Sequence, residues 1–253
     1  MEKAISKKKV RLDQLIVQKG LVESREKAKA VIMAGDVMVN GARADKPGHS
    51  FPEDCEITLK SGTIPYVSRG GLKLEAAIEH FNIDVNKLVV LDIGASTGGF
   101  TDCLLQNGAK KVIAVDVGYG QLHWKLRQDP RVVIIEKTNA RYLEPEHIKD
   151  NPDGAVIDVS FISLKLVIPV IAKLLPKNSF IIALIKPQFE AGKDQVGKGG
   201  VVRNEEIRNK IVNDIREFCM SQGWKSEGEI PSPILGPKGN EEFLIYLTRV
   251  NPE

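Results

Sequence analysis

The segment LDIGASTGGF, Leu91 to Phe100, sets an acid two residues before a glycine-rich turn. Gly94 and Gly98 let a backbone turn tightly and come close to a ligand. Three ligand classes suit such a turn. A phosphate-binding loop continues with Lys-Ser/Thr after its last glycine, whereas Phe100 follows Gly99 here. A dinucleotide fold favours GxGxxG, and Ser96 stands at its second glycine position. The remaining reading is S-adenosylmethionine, which presents an amino-acid end, a ribose and an adenine instead of a phosphate. Asp116 in VIAVDVG is placed to accept ribose hydroxyls, as acids do in dinucleotide sites. Asn139 follows the next apolar run and is placed for the adenine edge. The plain alternative for each glycine is a tight turn with no ligand.

These residues need a sheet to position them. KLVVLDIGA, KKVIAVDVG, RVVIIEKTN, DGAVIDVSF, SFIIALIKP and EEFLIYLTR read as strands. GGFTDCLLQNG, QLHWKLRQ, SLKLVIPVIAKLL and RNEEIRNKIVNDIREFCMSQG read as helices. Apolar strands alternating with helices predict a parallel sheet covered on both faces. Ligands of such sheets bind beyond the carboxyl ends of the strands.

The first quarter of the chain is different. The first 64 residues hold 12 Lys and Arg against 9 Asp and Glu and carry the whole net charge of +3. Lys3, Lys7, Lys8, Lys9 and Arg11 begin that excess, a candidate nucleic-acid footprint or a solvated tail. RLDQLIVQKG has helical spacing at Leu12, Leu15 and Ile16, with Gly20 as its stop. Ser24 is the expected N-cap of a second helix ended by Gly35, without a capping box. VMVNGARAD predicts a hairpin turning at Asn40-Gly41, and SFPEDCEITL ends in a strand. KSGTIPYVSRGG then reads as an inter-domain joint.

RLDQLI, SREKAKAVI and GDVMVNG resemble the S-four-type RNA-binding domain. The resemblance implies that Arg11, Ser24, Arg25, Lys27, Lys29, Asn40 and Gly41 contact structured RNA. Basic side chains there would grip phosphates, giving affinity and orientation more than sequence choice. The plain alternative is a helical hairpin for protein contacts.

DIGASTGGFTDCLLQNGAKKVIAVDVGYGQL, with DVSFISL, IKPQFEAG and GPKGNEEF, resembles the TlyA family of ribosomal RNA methyltransferases. That family was first described as haemolysin-like, and its catalytic domain is similar to the FtsJ class of RNA ribose methyltransferases. The resemblance implies an α/β Rossmann-like methyltransferase domain with a mostly parallel seven-stranded sheet, preceded by a small α+β RNA-binding domain. The expected boundaries are 1–60, a joint at 61–71, and 72–253. The implied reaction is methylation of the cytidine 2′-hydroxyl in ribosomal RNA from S-adenosylmethionine. The substrate is expected within a ribosomal subunit: a large-subunit site, with a small-subunit site in some members. The implied donor set is Asp92, Gly94, Ser96, Gly98, Gly99, Phe100, Asp116, Val117, Asn139 and Asp158.

The FtsJ class carries a Lys-Asp-Lys-Glu tetrad, which falls here on Lys73, Asp158, Lys186 and Glu242. VID and LIK each put a charge straight after an apolar run, which is costly unless the charge is paired or faces a cleft. Glu241 competes with Glu242; the family spacing from Gly239 favours Glu242. A ribose hydroxyl is a poor nucleophile, and the sulfonium is already a good leaving group. The enzyme must orient the hydroxyl and help its proton leave. Lys186, its pKa expected to be lowered by burial and by Lys73, is the expected base, with Asp158 and Glu242 holding the lysines.

QVGKGGVVRN, residues 195–204 with Lys198 and Arg203, reads as a lid or as a surface connection. Cys55, Cys103 and Cys219 lack CxxC spacing, so a reducing cytoplasm is expected and a metal is not. No apolar run nears the roughly 18 residues of a membrane span, which argues against a membrane-active cytolysin. An RNA-binding assembly factor without catalysis is the other rival.

Overall fold

The computed structural model describes residues 9–249 apart from 23, 34, 60–63, 193, 194 and 198. Lys3, Lys7, Lys8 and Lys198, singled out above, lie outside the described residues, as do residues 61–63 of the expected joint. The chain divides into two units, Met1–Ile64 and Pro65–Glu253.

In the first unit, helices α1 (Leu12–Gln18) and α2 (Arg25–Met33) pack on a sheet of β2 (Val37–Val39), β3 (Ala42–Ala44) and β5 (Ile57–Leu59). Ser24 caps α2 as expected, its Oγ accepting the Lys27 N–H at 3.2 Å. The hairpin turn has φ of 49° at Asn40 and 76° at Gly41, the doubly left-handed turn that matches strand twist. A second antiparallel pair, β1 (Lys9–Arg11) with β4 (Ser50–Pro52), was not visible as alternation because each strand has three residues. Beneath the apolar contacts of α1 and α2 lies Asp13, fully buried. Arg11 donates to it at 3.0 and 3.2 Å, and Arg25 at 2.9 Å. Those hydrogen bonds, Arg11's foremost, hold the Asp13 carboxyl down at about 2.

The second unit contains α3 (Gly70–His80), β6 (Val89–Ile93), α4 (Gly99–Gln106), β7 (Lys111–Val115), α5 (Trp124–Arg127), β8 (Val132–Ile135), β9 (Gly154–Ile157), α6 (Leu164–Leu174), β10 (Phe180–Ile185), α7 (Pro187–Glu190), α8 (Glu205–Ser221), β11 (Trp224–Pro231) and β12 (Phe243–Arg249). The seven strands lie in the order β11-β12-β10-β9-β6-β7-β8. Five are parallel; β12 runs antiparallel to both β10 and β11. β9 and β10 are buried at every position, as a sheet covered on both faces requires. Alternate residues of the strands meet α6 and α8 on one face, and α3 and α4 on the other.

In the second unit α3, α7 and β11 escape the sequence reading. β11 carries Lys225, Glu227 and Glu229 on an edge, and its register shifts at Gly228, so its alternation is broken. Residues 65–71, read as part of the joint, belong to the second unit. Tyr66 is buried with its hydroxyl 2.6 Å from Glu75, and Val67 N–H donates to Asp102 at 2.8 Å. The glycines there serve close packing: a β-carbon on Gly71 would stand 2.3 Å from the Tyr66 ring.

Asp92, near the end of β6, is fully buried. Its Oδ2 accepts from Thr101 Oγ1 at 2.6 Å, and its Oδ1 has no hydrogen-bond partner among the described residues. Burial above all, then the charge of Asp158, pushes this carboxyl up to about 7.

Asp13 and Asp92 therefore act on stability with opposite signs. The Asp13 pKa is depressed, so its contribution is full above the ordinary carboxylate range and fades as pH falls toward about 2. Asp13→Asn should lower the thermal midpoint at neutral pH, and the deficit should shrink as pH falls below about 4. The Asp92 pKa is raised, so the native state holds a proton that the unfolded chain has already lost. Its cost is absent at low pH and grows as pH rises toward about 7. Asp92→Asn should raise the thermal midpoint at pH above about 7 and change it little near pH 4. Calorimetric melts across that range check both.

Candidate active site at the switch point of the sheet

Strands β6, β7 and β8 run outward in one direction, and β9 returns to the other side of β6. The carboxyl ends of β6 and β9 therefore diverge into a crevice, the position where open α/β sheets bind ligands. The glycine-rich turn leaves β6 there. Gly94 has φ of 85°, and a β-carbon on it would lie 2.6 Å from the Asp158 carbonyl oxygen. Its smallness lets the ends of β6 and β9 close on each other. Gly98, with φ of 95°, is packed against Leu126 and Leu122, and Gly99 against Ser68 and the start of α3. These two glycines are required by neighbouring protein atoms, a reason that the turn sequence did not disclose.

Asp116 follows β7 and ties the turn down. Its Oδ2 accepts the Ser96 N–H and its Oδ1 the Gly118 N–H, both at 2.7 Å. Ser96 takes φ of 50°, a left-handed conformation that costs a non-glycine residue energy. Asp116, Gly118 and Glu136 line a shallow depression that meets the main crevice at Ala95 and Ser96. Val117 is exposed beside it. Asn139 is exposed beyond β8, with its Oδ1 accepting the Arg141 N–H at 3.0 Å.

The main crevice is a cleft of about 490 Å³. Gly94, Ser96, Gly99 and Phe100 line one wall, and Asp158 and Lys186 another. Lys73 and Glu242 line it too, so all four tetrad positions meet in one cavity. Asp92, Gly98, Asp116, Val117 and Asn139 are not among its lining residues.

The sheet explains the meeting. Asp158 and Lys186 directly follow β9 and β10, and Phe243 pairs with Ile185, so Glu242 falls opposite Lys186. Lys73 enters from the first turn of α3. Lys73 Nζ donates to Glu242 Oε2 at 2.6 Å. Lys186 Nζ stands 2.5 Å from Asp158 Oδ1 and donates to Ser160 Oγ at 2.9 Å. Glu242 is 1% exposed and each lysine 8%, a burial tolerable only because each cation has its own anion. Glu241 instead reaches Arg208 on α8 at 2.8 Å.

Three residues near the cleft went unnoticed in the sequence. Ser160 binds Lys186, and Gln188 donates to Glu242 Oε1 at 3.2 Å. Phe161 has φ of 63° and is 90% exposed, its ring 4.9 Å from that of Phe189. A left-handed conformation is rare for a bulky side chain, and no local sequence signal announces it here.

In the first unit, the candidate RNA contacts prove to have structural duties as well. Arg11 and Arg25 meet on Asp13 with their side chains 48% and 47% exposed. Asn40 Oδ1 accepts the Glu56 N–H at 3.0 Å, pinning the turn that Gly41 completes. Lys29 is exposed, Lys27 is partly buried, and Ser24 is the cap of α2. The described part of the 195–204 loop is tethered: Asn240 accepts the Val202 N–H and donates to the Gly200 carbonyl. Among the described residues, no group of three or more His, Cys, Asp or Glu is placed to hold a metal ion.

An FtsJ-like methyltransferase model matches residues 66–249, and an S4 domain model matches residues 10–53. The 16S/23S rRNA (cytidine-2′-O)-methyltransferase TlyA of Mycobacterium tuberculosis is 45% identical over 241 residues, 95% of this chain and 90% of that protein. Hemolysin A of Brachyspira hyodysenteriae is 47% identical over 94% of this chain and 99% of its own length. A hemolysin-named solved structure from Streptococcus thermophilus superposes with a TM-score of 0.78 at 50% identity, covering 96% of this chain and 89% of that one. With a methyltransferase sheet closing a four-charge cleft and an S4 domain ahead of it, the chain belongs to the TlyA family of FtsJ-like methyltransferases.

Proposed function

We propose that this enzyme transfers a methyl group from S-adenosylmethionine to the 2′-hydroxyl of a cytidine in ribosomal RNA. The observation that carries the reading is the convergence of two lysine–carboxylate pairs, both lysines buried, on a cleft walled by the glycine-rich turn. The donor fits what lines the crevice. The N-terminus of α4 opens at Gly99 and suits the carboxylate of its amino-acid end. Asp116, anchored at the shallow end, suits its ribose hydroxyls. The bound donor supplies the methyl group on a sulfonium.

The chain's own residues do the rest. Once the Lys186 amine has released its own proton to solvent, Asp158 and Ser160 hold it in place to take the proton leaving the 2′-hydroxyl. Lys73, held by Glu242, provides the second positive charge as oxygen becomes more negative. The exposed ring of Phe161, which follows the cleft residue Ser160, offers a face on which the target base stacks. Outside the cleft, Arg11, Arg25 and Lys29 carry the phosphate contacts of the S4 domain. The substrate is the large-subunit RNA, with the small-subunit RNA as a second target, in line with the two RNAs named for the mycobacterial relative. The haemolysin name finds no support among the helices of the described residues, none of which is long and apolar enough to cross a membrane.

The direct test uses labelled donor and large ribosomal subunits that lack the modification. Alkali cannot cut beside a methylated 2′-oxygen, so label should survive in a dinucleotide; label in mononucleotides would mean base methylation and sink the proposal. Lys186→Ala should lower the turnover rate by about 10²–10⁴ while calorimetry still shows donor binding. Asp116→Ala should weaken donor affinity at least about tenfold, with less effect on turnover at saturating donor.

A further inference from the structure

The two ion pairs of the cleft sit on different elements, and the proposed reaction needs them at a fixed spacing. Lys73 and Glu242 are 169 residues apart in sequence, and neither is bonded to Lys186 or Asp158 by the contacts described above. Gln188 spans the gap. It lies two residues after Lys186, on the short helix α7 that Pro187 opens. Pro187 fixes its own φ, and the Lys186 carbonyl accepts the Phe189 N–H at 2.9 Å, so Gln188 keeps a set offset from Lys186. Its Nε2 donates to Glu242 Oε1 at 3.2 Å. An ionised carboxylate only accepts, which settles the orientation of the amide.

Glu242 is thereby held on three sides. Lys73 takes Oε2, Gln188 takes Oε1, and Gly236 lies so close that a β-carbon on it would stand 2.2 Å from Oε1. Gln188 itself does not line the cleft, so it acts through Glu242 and not on substrate.

We propose that Gln188 is a positioning residue: it locks Glu242, and through it Lys73, to the segment that carries Lys186. The proposal rests on the methyl-transfer reading of this cleft. Without the amide donor, Glu242 and Lys73 can shift together relative to Lys186. The glycine-rich turn and Asp116 are untouched, so the loss should fall on turnover and spare donor affinity.

The experiment compares Gln188→Met and Gln188→Glu with the wild type, each also in a Glu242→Gln background, on unmodified large subunits. Gln188→Met should lower kcat by about 10- to 100-fold, with the donor Kd and the thermal midpoint near those of the wild type. In the Glu242→Gln background it should cost little more, because the partner is already altered. Gln188→Glu should regain activity relative to wild type as pH is lowered from about 8.5 to about 6, where a protonated carboxyl can again donate. A merely structural role would lower the thermal midpoint and donor affinity and leave that activity ratio flat. Wild-type kcat in Gln188→Met, a full multiplicative loss in the Glu242→Gln background, or a flat ratio in Gln188→Glu would overturn the proposal. Wild-type label in mononucleotides would refute the ribose reading instead; the coupling of Gln188 to Glu242, measured on that transfer, still decides the positioning role.

Discussion

Burying a lysine is unfavourable unless an anion comes with it, and this cleft holds two buried lysines. Each carries its own carboxylate, and the two pairs reach the cleft from different parts of the chain. Much of the catalytic unit can be understood as the means of bringing those four groups together. β9 and β10 are parallel neighbours that lead into Asp158 and Lys186, and the lysine side chain closes the gap between them. β12 runs backwards along β10, so the residue before it, Glu242, arrives beside the residue after β10. A fully parallel sheet would have carried Glu242 to the opposite end. The antiparallel strand is therefore a requirement of the site.

The glycine-rich turn illustrates a related constraint. It reads as a place where a ligand comes close, yet its glycines are demanded first by protein neighbours. Gly94 admits the Asp158 carbonyl, Gly98 admits α5, and Gly99 admits the start of α3. Asp116 joins the turn to the end of β7. The glycine-rich wall and the wall of the four charges are thus parts of one packed structure. Asp92 lies under this junction with one oxygen bonded to Thr101, its carboxyl neutralised more readily than an ordinary one.

In the first unit, side chains proposed to contact RNA also serve stability. Arg11 and Arg25 neutralise a buried carboxylate, and each remains about half exposed. A guanidinium has five donors, so holding Asp13 leaves others for phosphate. The arrangement pre-orients both cations, which would lower the entropy lost in the proposed RNA contact.

Local chemistry was legible in the chain. The Ser24 cap and the Asn40-Gly41 hairpin each depend on residues within a few positions, and each took the expected conformation. Apolar runs likewise disclosed six of the seven strands, because buried strands have little freedom in composition. β11 stayed hidden because an edge strand can carry charges on its open side. The joint was read too long because glycine looks alike in a flexible linker and in a tight helix contact. The tetrad could be gathered only through family resemblance, since nothing local connects Lys73 with Glu242. By itself, then, the sequence determined which segments turn, cap and pair locally, since short-range sterics and hydrogen bonds act between neighbours. Only the tertiary structure decided that Lys73 meets Glu242, that Glu241 turns outward to Arg208, and that Ser160 and Gln188 bind Lys186 and Glu242. Those contacts depend on strand order and register, which arise from packing across the whole sheet.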